Sequence, residues 1–582
     1  MGGLPVNDRP GDVANHHDHG TATSDGVASG AGPRSPDLTA RAAWTLVWLA
    51  VTTSGVAAWS DWTAWPGYGV VAPVLVLGGL IGGALTWAVR DPERPSWRLG
   101  SFAAVLASVL VDRGLGIAAR TYYATDAAAF NDVAARALLH GRDPYTTSMA
   151  PAARLLDHAS GYWTYTLDGT HVHAVSYPAG SFLLQAPLVA LGLRHLPTDW
   201  IDLVAWLATG VILARLLPRR LTWLAALLVL SSAYVGTFAN GGTDALFVPF
   251  LVLALWRWDC ALDAGAGVAR WVSPVALGIA CSIKQTPWFV VPFVLVALVV
   301  EARAAHRAYV APLARYAGLT LGTFVLINLP FIVWHPGAWL RGVLLPLRDP
   351  LVPDGQGLVT LALHGLTGGV NLHGLWLSGA LVLVAGLVAL VAWYPALKRT
   401  WPLLVPIALF IPGRSLTNYL LDFLPAALAA ALSVRDAPPD WRAPLARARV
   451  VLLAGVLVSA GVVAGEALTS APLALSVTGV TTRDAHQRLT GVTVMLTNQS
   501  SQTVHPHFMV DLGGPHPSGF WRVRVLHGSL PLRAGRHALV ALSPAAWTWA
   551  PAYDQYWIVD AYSASPAALS TSAPQRWTLG SR

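Results

Sequence analysis

Five short polar stretches interrupt an otherwise apolar chain, and their residues are of the types that move protons and hold phosphates. The first, Thr121 to Tyr145 (TYYATDAAAFNDVAARALLHGRDPY), carries Asp126, Asp132 and Asp143. Asp132 has Arg136 four residues on, a helical ion pair, and Asp143 before Pro144 is a turn residue. Asp126 is the acid with the least structural reason to be there, although an N-cap would account for it. The second stretch is Asn240-Gly241-Gly242-Thr243-Asp244; Asp244 could cap a helix or bring a second carboxylate to the same cavity. The third is Lys284 in SIKQTP, between two half-length apolar helices. A charge in mid-membrane costs about 2.5–3.5 kcal/mol on insertion scales, so an ionisable residue there has a functional reading by default. The fourth is PGRSLTNY, with Arg414 and Asn418, where the plain alternative is an arginine snorkelling to the interface. The fifth is Tyr177-Pro178, whose tyrosine could equally be an interfacial anchor.

Together these types suit one chemistry. A carboxylate (Asp126, supported by Asp244) can take the proton of an acceptor hydroxyl. Lys284 and Arg414 can stabilise a phosphate as it departs, with Tyr177, Asn240 and Asn418 as further substrate contacts. Asp126 and Asp244 could also share a divalent cation. The chain carries no Gly-rich nucleotide fingerprint and no P-loop, which points to a donor that is already membrane-borne.

The elements that must position these residues are membrane helices. Of 582 residues only 12% are charged, against about 25% in soluble proteins. The net charge of +8 is carried by arginine, since Lys284 and Lys398 are the only lysines. The arginines sit in short connections between apolar runs, which is a topology signal and not a nucleic-acid footprint. Residues 1–40 are polar and read as a disordered cytoplasmic tail; His16, His17 and His19 could bind a metal adventitiously, but a solvated tail is the reading preferred. About 13 spans are expected within 41–468, near 42–59, 69–89, 99–117, 199–217, 221–239, 243–258, 272–284, 286–301, 316–333, 374–393, 401–413, 416–433 and 450–467. The positive-inside rule places the N-terminus in the cytoplasm and the loops 119–176 and 334–372 outside. The short, proline-containing run Tyr177 to Leu193 is read as not crossing, because Arg215, Arg219 and Arg220 then fall inside. Phe130, Val133, Ala134, Ala137 and Leu138 share one helical face, so the helix after Thr125 is expected to lie on the bilayer with that face in lipid. Cys260 and Cys281 are expected at opposite ends of a cytoplasmic turn, with no disulfide framework. From 470 to 582 alternating runs (Val492 to Leu496, Trp521 to Val525, Ala538 to Leu542, Tyr556 to Val559) predict an extracytoplasmic β-sandwich.

In the order and placement of TDAAAFNDVAARALLHGRDPY, YPAGSFLLQAPL, NGGTDALFVPFLVLAL and SIKQTP, the chain resembles the GT-C superfamily of polyprenyl-phosphate-dependent glycosyltransferases. The bacterial mannosyl- and arabinosyltransferase-like branch is the nearer match, over roughly residues 100–430. That resemblance implies an acid in the first outer loop as catalytic base, matched by Asp126. It also implies basic residues near the lipid phosphate, matched by Lys284 and Arg414, and inversion at the anomeric carbon. The expected partners are a polyprenyl-phosphate-linked sugar and a glycan, glycolipid or protein acceptor, at the plasma membrane. The chain departs from many relatives in having three spans before the loop, and Gly242-Thr243-Asp244 where a Gln often follows Gly. The rival classes are a transporter or flippase of lipid-linked sugars, to which broken helices also belong, and a non-catalytic envelope scaffold.

Overall fold

The computed structural model describes residues 38–60, 67–156, 163–231, 243–348, 351–434, 447–483, 488–511, 519–545, 548, 550–552 and 555–576. The chain is mainly helical as far as Thr469 and β-rich beyond it.

Seven described helices are long and apolar enough to cross a membrane: Leu38–Trp59, Gly69–Ala88, Pro95–Ala119, Thr286–Ala304, Val310–Trp334, Leu372–Ala392 and Arg449–Thr469. They coincide with seven of the expected spans, the first beginning inside the stretch assigned to the tail. The other expected spans are shorter or more polar. Pro197–Leu216 has the length, at 20 residues, but carries Asp199, Asp202 and Arg215. Val248–Leu255, Ala269–Ile283, Leu404–Leu409 and Leu424–Ser433 fall short of the roughly 20 residues a full crossing needs. Prolines sit in the first turns of Val248–Leu255 and Leu424–Ser433, where the missing N–H ends one helix and starts another. The second half of the run at 221–239 lies outside the described residues.

The run Tyr177 to Leu193 forms two short helices, Gly180–Leu183 and Ala186–Ala190. The segment that follows it, Arg194 to Asp199, is tied to the end of helix Pro95–Ala119 and to Arg136. The His195 ring nitrogen is 3.0 Å from the carbonyl of Ile117, Arg120 pairs with Asp199 at 3.0 Å, and Arg136 donates to the carbonyl of Arg194.

Helix Asp126–Leu139 is capped by Thr125, whose hydroxyl accepts from the Ala128 amide, and it gives way to Gly141 in the left-handed region (φ 71°). Asp132 and Arg136 pair at 2.7 Å as their spacing predicts. The lipid-facing orientation is corrected. Ala128, Phe130, Asn131, Ala134, Ala135 and Ala137 are all buried, because the helix is wedged between the two short helices and Pro197–Leu216. Small alanines let backbones approach on several sides, so the apolar face meets protein. The cysteines are both free, but Cys281 lies in the last turn of Ala269–Ile283, not at the turn.

In the β-rich region, Leu473–Arg483, Leu489–Asn498, His537–Ser543 and Arg522–His527 form one antiparallel sheet in that order. Tyr556–Ala564 is the centre of a second sheet, with His507–Asp511, Gln575–Arg576 and Ala567–Thr571 as partners. Val492, Val494, Val540 and Leu542 from the first pack with Phe508, Val510, Trp557 and Val559 from the second in one core. The second sheet does not stop at the region's boundary. Its edge is Gly369–Asn371, contributed by the 334–372 stretch between two helices and paired antiparallel with Ala568 to Ser570.

Candidate active site

A cleft of about 850 Å³, counting the space open to solvent, gathers residues from stretches far apart in sequence. Its polar end is formed by Asp126, Thr164, Tyr177, Lys284, Arg414 and Tyr419. Its walls are apolar: Phe130, Phe289, Leu345, Leu347, Trp376 and Leu409.

Asp126 stands in the first turn of its helix, where the unpaired amides and the dipole favour an anion. One carboxylate oxygen accepts from the Thr164 amide at 2.8 Å. The side chain is nearly inaccessible, and burial pushes its carboxyl above the usual range. The Thr164 bonds and the Arg414 charge oppose that shift without cancelling it. Asp126 is therefore a carboxylate held by Thr164 and Ala127, with burial raising its basicity.

Lys284 sits where helix Ala269–Ile283 ends and the chain becomes extended (φ −149°, ψ 160°) before a new helix starts at Thr286. This break is sharp because Gly180 packs against it: a Cβ there would stand 2.6 Å from the Ser282 carbonyl oxygen. The ammonium group forms an ion pair with Asp244 and rests on the rings of Tyr177 and Tyr419, 5.3 and 5.2 Å from their centroids. Aromatic faces attract a cation, so the lysine is held from three sides.

Asp244 is thus the counter-ion of Lys284. It lies behind the lysine, and the Asn418 side-chain amide donates to it as well. Neither Asp244 nor Asn418 lines the cleft. Asp126 and Asp244 are engaged separately, and among the described residues no three His, Cys, Asp or Glu side chains come together as a metal-holding group. Asn240 lies outside the described residues.

Arg414 reaches the cleft from a two-residue strand. Asp354-Gly355 runs parallel to Arg414-Ser415, and the guanidinium donates to the Val352 carbonyl at 3.1 Å. Asp354 is 3.9 Å away across the same pairing. Tyr177 is fixed by its own backbone, its carbonyl accepting from the Tyr145 hydroxyl at 2.8 Å. Asp143 is more than a turn residue: besides accepting from the Tyr145 amide, it lies 2.6 Å from a His335 ring nitrogen.

Thus Asp126, Tyr177, Lys284 and Arg414 converge as their types suggest. Thr164, Tyr419, Trp376 and Asp354 were not singled out by type or spacing. Asp202 and Asp422 are further residues of this neighbourhood. Both are buried, feel the charges of Lys284 and Asp244, and have carboxylate oxygens without a hydrogen-bond partner among the described residues. Asp422 is a lone acid in an apolar run, the same signal that marked Lys284, and Asp202 shares its helix with Asp199.

Compared with known proteins, the chain matches no family model, no curated protein and no solved structure.

Proposed function

We propose that the protein is an integral membrane glycosyltransferase of GT-C type, moving a sugar from a polyprenyl phosphate to an envelope glycan, glycolipid or protein on the outer face. The observation that carries this reading is the shared cleft: a basic carboxylate, Asp126, with Arg414 and Lys284 at one polar end, and an apolar wall beside them. Such walls suit the first isoprene units of a lipid carrier.

In this reading Asp126 takes the proton of the acceptor hydroxyl as that oxygen bonds to the anomeric carbon. The bond from that carbon to the phosphate oxygen breaks on the opposite side, inverting the centre. Polyprenyl phosphate leaves with the electron pair, and its growing charge falls to Arg414 and Lys284. Because Asp244 already balances Lys284, the lysine supplies N–H donors more than net charge, and Arg414 is the principal phosphate partner. Tyr177 and Tyr419 hold the lysine in place.

The accompanying topology is a plasma-membrane protein of 13 spans and half-spans. Its N-terminal tail is cytoplasmic, and both large loops and the β-rich region, read as a β-sandwich, lie outside.

The test is transfer by the purified protein in nanodiscs, from radiolabelled polyprenyl-phosphate sugars to an envelope extract. Wild type should transfer label, and Asp126→Asn should lose at least about a hundredfold in rate while still binding donor. Equal transfer by both would remove Asp126 from the chemistry. Donor binding without transfer, with label crossing the bilayer instead, would favour a flippase.

A further inference from the structure

The second outer loop does two structural jobs within some twenty residues. At its start, Val352 receives the Arg414 guanidinium and its amide donates to the Tyr165 carbonyl at 2.9 Å. Tyr165 follows Thr164, the residue that bonds Asp126. Asp354 comes next, 1% exposed, in register with Arg414. The pairing is tight. A Cβ on Gly355 would meet the Ser415 carbonyl oxygen at 2.1 Å, and one on Gly357 the Phe410 carbonyl oxygen at 2.2 Å.

At its end the same loop becomes the edge strand of the β-rich region's sheet. Val370 pairs with Leu569 and Gly369 with Ser570, and the Thr571 amide donates to the Gly368 carbonyl at 2.9 Å. Between these ends, Val352, Val359, Ala362 and Val370 form one buried cluster with Met509, Tyr562 and Leu569 of the β-rich region. Tyr562 feels the charge of Asp354 across that cluster. The β-rich region and the cleft's arginine are therefore attached to opposite ends of one short, densely packed loop.

We propose that Asp354 is a positioning residue that sets the Arg414 guanidinium for an anionic phosphate, and that the β-rich region holds this arm in place through the strand it shares with the loop. This inference rests on the reading of Arg414 as a phosphate partner. It gives the C-terminal region a role in donor affinity that is separate from any contact with an acceptor. A buried carboxylate 3.9 Å from a guanidinium that lines the cleft orients it by charge.

The experiment is equilibrium binding of a short-chain polyprenyl monophosphate, carrying no sugar, to the full-length protein in nanodiscs. Asp354→Asn, Arg414→Ala, the double variant and Gly369→Val are compared with wild type, with melting temperature and monodispersity recorded for each. Arg414→Ala should weaken binding roughly tenfold or more, as expected for a lost charge-assisted contact. Asp354→Asn should weaken it several-fold, and the double variant should be no weaker than Arg414→Ala alone, because Asp354 acts through the arginine. Gly369→Val places a side chain against the Leu569 carbonyl oxygen, 2.3 Å from its Cβ, far along the loop from the cleft; it should also weaken binding. Asp354→Glu should restore part of what Asp354→Asn loses. Additive losses in the double variant, or Asp354→Asn binding like wild type beside a weakened Arg414→Ala, would overturn the positioning role. Wild-type affinity in a folded Gly369→Val protein would overturn the part assigned to the β-rich region. If Arg414→Ala itself bound normally, the fault would lie in the phosphate reading of Arg414.

Discussion

Asp126 and Lys284 are both buried charges, yet they are treated oppositely, and that difference predicts how each responds to substitution. Lys284 has a full partner set in Asp244, Tyr177 and Tyr419. Removing only one member of a buried ion pair strands the other, at a cost of about 3–5 kcal/mol. Asp244→Asn should therefore lower the melting temperature in detergent markedly. Joint replacement by Lys284→Met and Asp244→Asn should recover much of the loss even though phosphate binding does not return. A double variant melting lower than either single one would mean that the pair is not the stabilising unit. Burial outweighs the hydrogen bonds from Thr164 and Ala127 and the charge of Arg414 at Asp126, so its carboxyl is raised. The folded protein then binds that proton more tightly than the unfolded chain does. The side chain's contribution to stability is full below the ordinary carboxylate range and is lost as pH rises through the raised folded value. Asparagine carries no charge to lose it by. Asp126→Asn should melt at or above wild type near about pH 7.5, with the difference vanishing towards about pH 4. Wild-type transfer should meanwhile fall on its acid side at a pH above the ordinary carboxylate value. A variant that melts lower at both pH values would identify Asp126 as a structural cap.

At the scale of elements, what positions the site is a set of interruptions. Lys284 is presented by a break between two helices, Tyr177 by the entry to two short ones, and Arg414 by a two-residue strand. Gly180 is the residue where two of these breaks touch. Gly180→Val would drive methyl groups into the Ser282 backbone, and the segment that yields carries Lys284 two residues on. We expect Gly180→Val to weaken polyprenyl-phosphate binding while the β-rich region stays folded, as read by tryptophan fluorescence and tryptic pattern; unchanged binding would show that the break is set from elsewhere. The breaks were legible in sequence where a charge or a proline marked them, as at Lys284-Gln285-Thr286-Pro287 and Tyr177-Pro178. Asp354-Gly355 and Gly369–Asn371 were not. A strand of two or three residues has no periodicity to read, and its partner lies tens or hundreds of positions away. The Asp126 helix was legible in its cap, its ion pair and its end. Its burial was not, because an alanine-rich face fits lipid and protein equally well by composition. The shorter apolar helices were legible as apolar runs but not in their exact lengths, because hydropathy adds up across a break that the backbone respects.

At the scale of the whole molecule, everything on the outer side depends on the run Tyr177 to Leu193 turning back. Its helical part, Gly180–Ala190, is 11 residues, or about 16 Å at 1.5 Å per residue, roughly half of a 30 Å hydrocarbon core. If it returns, Arg194 and Thr170 share one side of the membrane, and Arg215, Arg219 and Arg220 fall on the arginine-rich side with Arg303 and Arg307, as the distribution of positive charge requires. If it crosses, each later loop changes sides and those clusters face outward. The geometry ties the run's exit to the end of helix Pro95–Ala119 and to helix Asp126–Leu139, through contacts at Ile117, Asp199 and Arg136. The test uses single cysteines in a background lacking Cys260 and Cys281, and a membrane-impermeant maleimide on intact cells. Thr170→Cys and Arg194→Cys, both at exposed positions, should be labelled at once, and His306→Cys only after lysis. Labelling of Arg194→Cys only after lysis, with Thr170→Cys labelled at once, would make the run a true span. That outcome would be at odds with the cleft that joins Asp126 to Lys284 and Arg414, and it would overturn the outer-face reading.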